Sequence, residues 1–131
     1  MNYEQARAYA VNVSRSGSIL GLDSIENLMH ELGDIQERLK IIHIAGTNGK
    51  GSTGAYLERV LIEARYRVGR YSSPAVFDPM EVWRINLQSM SHEEYADIME
   101  QVKCACDRMV EKGMEHPTIF EVETAMAFLY F

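Results

Sequence analysis

The chain has 131 residues, 47% of them hydrophobic and 24% charged, and a formal net charge of -6. That length suits one ordinary domain, and that balance excludes a disordered chain. The acidic surplus argues against a general binder of nucleic acid or membrane surface, whose phosphates are met by a basic face, while leaving room for a small anion bound locally.

The first predicted element is a helix, with Tyr3, Ala6, Ala10 and Val13 on one face, broken by "SRSGS" near Ser14. "LGLDSIENLMHELG" repeats the pattern through Ile25, Leu28, Met29 and Leu32, with Gly33 closing the helix at C′. "LKIIHIAG" is a continuous β-branched run, expected as a strand covered on both faces in a parallel sheet, with His43 packed in the core. Leu57, Val60, Leu61 and Ala64 predict one face of the next helix, and "YRVGRYSS" a second strand. Residues 40–72 therefore read as strand, loop, helix, strand, a right-handed βαβ unit.

"PAVFDPMEVW" reads as a structured loop and "RINLQ" as a short edge strand. Trp83 either anchors that loop or stacks on a flat ligand. A capping box of Ser91 and Glu94 opens a long helix whose stripe is Tyr95, Ile98, Met99, Val102, Cys106, Met109 and Val110, ended by Gly113. Cys104 and Cys106 point about 200° apart on that helix and cannot chelate a metal together. Cys106 belongs to the core and Cys104 does not. A second box, Thr118 with Glu121, opens a last helix that runs apolar to Phe131, so the chain is expected to be a piece cut from a longer one. No apolar stretch approaches the roughly 20 residues of a membrane helix, and "MNYEQARAYA" lacks the layout of a signal peptide, so a cytoplasmic protein is expected.

The segment that carries chemistry is "HIAGTNGKGSTGAYL". A strand leading through glycines into a helix gathers backbone N–H groups at one concave point, where the helix dipole adds positive charge. Gly46, Gly49 and Gly51 are expected to supply positive φ and close approach, and Lys50 adds a full charge where a lysine is unwelcome unless an anion compensates it. A polyphosphate fits that description better than a solvated glycine-rich turn does. The spacing departs from G-x-x-x-x-G-K-[ST], because Gly51 separates Lys50 from Ser52 and turns the hydroxyl by about 100°. A magnesium ion would then need another ligand.

The spelling "AGTNGKGS" resembles the Mur ligase superfamily, and within it the folylpolyglutamate synthase/dihydrofolate synthase group, as do "LGLDSI", "EARYRVGRYSSP" and "PTIFEVETAMAFLYF". The resemblance covers nearly the whole chain. It implies an α/β fold, a P-loop-containing Mur-ligase-type ATPase domain with a parallel sheet and flanking helices, of which residues 1–131 would be the N-terminal part, truncated before the sheet is complete. It further implies an ATP-dependent ligase that adds L-glutamate to dihydropteroate or a folate through an acyl phosphate, working as a monomer with small-molecule substrates, ATP and Mg²⁺. Carried onto this chain, Gly46, Thr47, Asn48, Gly49, Lys50, Gly51 and Ser52 would wrap the ATP phosphates, with Lys50 catalytic, and Ser73 would ligate magnesium. Leu20, Gly21, Leu22, Thr118, Ile119, Phe120 and Glu121 would line the folate or pterin side. From the residues alone, Ser73 also suits an ST-turn before Pro74 and Glu121 a plain capping box.

The chain departs from the family's pattern at Ala75 and Val82, where polar residues are common, and at Arg65, where a helix C′ glycine is usual. The family's magnesium-binding glutamate, its metal-binding histidine, its modified lysine and its C-terminal domain would lie beyond Phe131, so the piece is expected to be inactive alone. Another P-loop Mur-type ligase and a non-catalytic nucleotide-binding module are the alternatives.

Overall fold

The computed structural model describes residues 1–15, 17 and 21–131. It forms two compact units, Met1–Arg38 with His92–Tyr130, and Leu39–Ser91 with Phe131.

The first unit is helical. Helix α1 (Tyr3–Ser14) starts at a capping box in which the Asn2 side chain accepts from Gln5 N at 2.9 Å and the Gln5 side chain accepts from Asn2 N at 2.9 Å. Its expected face is realised in buried Ala6, Ala10 and Val13, while Tyr3 is half-buried and stacks on His92 with ring centroids 3.7 Å apart. Helix α2 (Asp23–Glu31) buries Leu28 and Met29 and ends at Gly33, whose φ of 87° is the left-handed turn foreseen for it. A short 3₁₀ turn, Ile35–Arg38, follows. The 20-residue helix α4 (His92–Glu111) buries Tyr95, Ala96, Met99, Val102, Ala105, Cys106 and Met109, and α5 (Ile119–Tyr130) buries Val122, Ala125, Met126 and Ala127. The α4 stripe is narrower than expected at its end, since Val110 is exposed. Glu31 joins α2 to α4 through Lys112 and through Arg108 Nε at 3.1 Å.

The second unit holds helix α3 (Lys50–Glu63) and a three-stranded sheet of β1 (Gly69–Tyr71), β2 (Trp83–Ile85) and β3 (Gln88–Ser89), preceded by a 3₁₀ turn at Pro79–Val82. Both pairings are antiparallel, with Arg70 opposite Arg84, Tyr71 opposite Trp83 and Arg84 opposite Ser89. The parallel βαβ pairing expected within residues 40–72 is therefore not among the described strands. Residues 40–45 belong to no strand, and Ile41 and Ile42 are 57% and 61% exposed. A doubly covered strand needs neighbours in register on its edges, and among the described residues no strand pairs with this segment. His43 is accordingly exposed rather than packed.

"RINLQ" is more than an edge strand. It makes a two-residue hairpin in which Asn86 and Leu87 take φ of 47° and 71°, both positive as a type I′ turn requires. Asn86 also bridges to β1, donating from its N to Val68 O and accepting from Val68 N at its side chain, each at 2.9 Å. Trp83 is buried and stacks on Tyr71, so it anchors the sheet. Helix α3 faces inward with Gly54 and Glu58, whereas Val60 and Ala64 of its expected stripe are exposed. It ends at Arg65, held at φ 69°, with Tyr66 N donating to Leu61 O at 3.1 Å. The arginine does occupy the left-handed position that glycine would fill more easily.

Candidate functional site

The loop from Gly46 to Gly49 delivers the chain into α3. Gly46 has φ 151° and Gly49, the residue before the helix, φ 80°; both values favour glycine. Gly51 differs from expectation: it lies inside α3 without positive φ, so its lack of a side chain concerns space and not backbone geometry. A Cβ built at Gly46, Gly49 or Gly51 meets no atom within 4 Å, which leaves this side of the loop open.

The start of α3 contrasts with those of α1 and α5, which have side-chain caps. It has no side-chain cap and no acidic residue in its first turn, and its first residue is a lysine. The leading N–H groups of a helix need partners, and its positive end disfavours a cation. Lys50 Nζ donates to Gly46 O at 2.5 Å and to Thr47 O at 3.5 Å. The ammonium is thus folded over the loop and not extended into solvent. Thr47, Asn48 and Ser52 are exposed around it. Uncapped amides, a positive dipole end, one ammonium and an open face are the features an anion of phosphate type requires.

Behind this junction lies a charge cluster that the sequence reading missed. Glu58 is 3% exposed, and its Oε2 accepts from Arg70 Nη1 at 3.1 Å and from Arg84 Nη2 at 3.2 Å. Arg70 Nη2 also donates to Gly51 O at 2.9 Å. The available signal was a glutamate four residues after Gly54 on a helix, followed by arginines in two strands.

Ser73 stands two residues after β1 in the same unit and is exposed. Its hydroxyl is a hard oxygen donor, the type magnesium takes together with phosphate oxygens and water. Among the described residues no group of three or more His, Cys, Asp or Glu could hold a metal. The loop after Ser73 is organised by Glu81, whose Oε1 accepts from Val76 N and from Phe77 N, the latter at 3.0 Å. Those backbone donors hold the carboxyl below the usual glutamate range, helped by Asp78 N and the charge of Arg84. Val82, a departure from the family pattern, is buried, which suits an apolar residue there.

The remaining predicted residues lie in the helical unit. Leu20 is outside the described residues. Gly21 has φ 129°, and Leu22, next to α2, is 68% exposed. Glu121 is buried, and its Oε2 accepts from Thr118 N at 2.7 Å, Thr118 Oγ1 at 3.0 Å and Ser24 Oγ at 3.1 Å. The capping box is therefore real, and it ties the start of α5 to α2. Ile119 is half-buried and Phe120 is 63% exposed.

No family model matches the chain. It is 36% identical over 129 residues to the dihydrofolate synthase/folylpolyglutamate synthase of Bacillus subtilis, covering 98% of this chain and 30% of that protein. It superposes on the crystal structure of folylpolyglutamate synthase from Thermotoga maritima with a TM-score of 0.89 at 36% identity, over 98% of this chain and 30% of that one. The chain belongs with the folylpolyglutamate and dihydrofolate synthases. A bifunctional folylpolyglutamate synthase/dihydrofolate synthase solved with Mn, AMPPNP and L-glutamate bound gives a TM-score of 0.82 at 32% identity, over 95% of this chain and 29% of that one. The structure is a partial α/β domain of the fold of these synthases, and it spans about 30% of the length of these three relatives.

Proposed function

We propose that this chain is the N-terminal part of the ATP-binding domain of a synthase that joins L-glutamate to dihydropteroate or a folate, and that its loop holds the ATP phosphates. The observation that carries the proposal is the start of α3, uncapped, with Lys50 bent over Gly46 and Thr47 beside open space. Backbone N–H groups from Thr47 to Ser52 would orient the phosphates, and Lys50 would offset charge on the group in transfer. Ser73 would hold magnesium, which supplies charge neutralisation at the phosphates when bound.

In the reaction of such a synthase the γ-phosphoryl group passes from ATP to the substrate carboxylate and ADP leaves. The amino group of L-glutamate then attacks the acyl phosphate, an amide forms and phosphate departs. On the folate side we assign Leu20, Gly21, Leu22, Thr118, Ile119, Phe120 and Glu121, supported by the exposed apolar side chains of Leu22 and Phe120 and by the Ser24–Glu121 bond that joins their helices. The reading carries with it a monomeric, cytoplasmic parent enzyme. The net charge of -6 supports small substrates over nucleic acid or anionic membrane, and among the described residues no helix is long and apolar enough to cross a membrane.

Calorimetric titration of the 131-residue chain with Mg-ATP tests the loop. Binding by the wild type that weakens at least tenfold in Lys50→Ala is expected, the order of a lost charge-assisted contact; equal heats for the two would overturn the assignment. Because so much of the relatives' length lies outside this chain, it should not ligate glutamate, and measurable ligation by it alone would contradict that part.

A further inference from the structure

Arg70 and Arg84 face each other directly across β1 and β2. Two cations in that register repel unless a countercharge lies between them. Glu58 supplies it, with one carboxylate oxygen accepting from both guanidiniums. Neutralisation alone would need no more than this, yet Arg70 spends its second terminal nitrogen on Gly51 O, in the first turn of α3. That carbonyl lies next to Lys50, and the guanidinium rests against Gly54, where a built Cβ would stand 3.4 Å from Arg70 Nε. A larger side chain at position 54 would displace the planar group. Arg70 thus joins the sheet, the helix interior and the helix start with a rigid fork of donors, which a lysine, with its single ammonium, cannot reproduce.

We propose that Arg70 is a positioning residue: it clamps the first turn of α3, and with it the Gly46–Ser52 loop, against β1, while Glu58 holds the other terminal nitrogen of its guanidinium. Its consequence for nucleotide rests on the phosphate reading above. The clamp holds the amides that would meet the phosphates, so its loss acts on affinity through backbone order and not through direct contact with the ligand.

The test is amide hydrogen exchange on the ligand-free chain, read at Thr53 to Tyr56, in wild type, Arg70→Lys, Arg70→Met and Arg84→Lys, with thermal melts and Mg-ATP titrations on the same samples. Arg70→Lys keeps the charge beside Glu58, so it remains the decisive variant if Arg70→Met does not fold. Exchange about tenfold faster at these amides in Arg70→Lys is expected, with a near-wild-type melt and about tenfold weaker Mg-ATP binding, while Arg84→Lys leaves the same amides as in wild type. Exchange unchanged in Arg70→Lys, or raised equally by Arg84→Lys, overturns the clamp. If the exchange result is as expected but even the wild type takes up no Mg-ATP, the clamp stands and the nucleotide assignment falls.

Discussion

Replacing Gly51 with alanine separates folding from binding. Gly51 lies within α3 with ordinary helical backbone, and a Cβ there meets no atom within 4 Å, so the substitution introduces neither strain nor clash. Alanine in a helix is favoured over glycine by about 0.5–1 kcal/mol. For a chain of this size that gain raises the melting temperature by about 2–5 °C. The same methyl group occupies the space beside Lys50 that a phosphate would use. Losing one charge-assisted hydrogen bond costs about 1.5–3 kcal/mol, which is roughly 10- to 100-fold in Kd. A melt and a Mg-ATP titration on one preparation read both numbers, and they should move in opposite directions. A lower melting temperature would refute the backbone reasoning, and undiminished affinity would refute the view that this space belongs to the ligand.

Glu121→Ala should lower stability without any ligand present, by about 2–3 kcal/mol, because it strands the buried donors of Thr118 and the hydroxyl of Ser24; urea unfolding measures this, and a wild-type midpoint would reassign Glu121 away from structure. Glu81 titrates below the usual glutamate range when folded, so its hold on Val76 and Phe77 is complete above that range and is lost as pH falls through the depressed value. The Val76 and Phe77 amide resonances should follow that midpoint, and a midpoint at or above the ordinary glutamate value would contradict the assignment. Cys106 is buried and its thiol is pushed up to about 11 by desolvation, whereas Cys104 is exposed. Iodoacetamide at pH 8 should therefore add one label per folded chain, at Cys104, with the second appearing only on unfolding.

The helices were legible in the sequence because a period of 3.6 records burial within one segment. Ala6, Ala10 and Val13, or Met99, Val102 and Cys106, declare an inward face without reference to other elements. The turn at Gly33 was also readable, since a C′ glycine leaves a local trace, whereas the left-handed Arg65 was foreseen only from the family's glycine at that position. Strand pairing was not. The apolar run at residues 40–45 says that a strand could be covered on both sides but does not say by what, and in this chain nothing pairs with it among the described residues. The inward face of α3 failed for the converse reason, since Glu58 is buried only because two arginines distant in sequence meet it, and hydrophobic periodicity cannot register an ion cluster. The glycine loop was visible because Gly46, Gly49, Lys50 and Gly51 lie close together in the sequence. Its support from Arg70 was not, because that depends on a register between strands.

Glu58, Arg70 and Arg84 also constrain how this protein can change over generations. Removing the carboxylate leaves two guanidiniums opposed across adjacent strands, and removing one arginine's charge alters what balances a buried acid, so a step that deletes any one of the three charges carries a cost. The three positions are therefore expected to change together. A descendant that places an apolar residue at position 58 should already have given up at least one of the two arginines, and would then have to fasten its helix by other means.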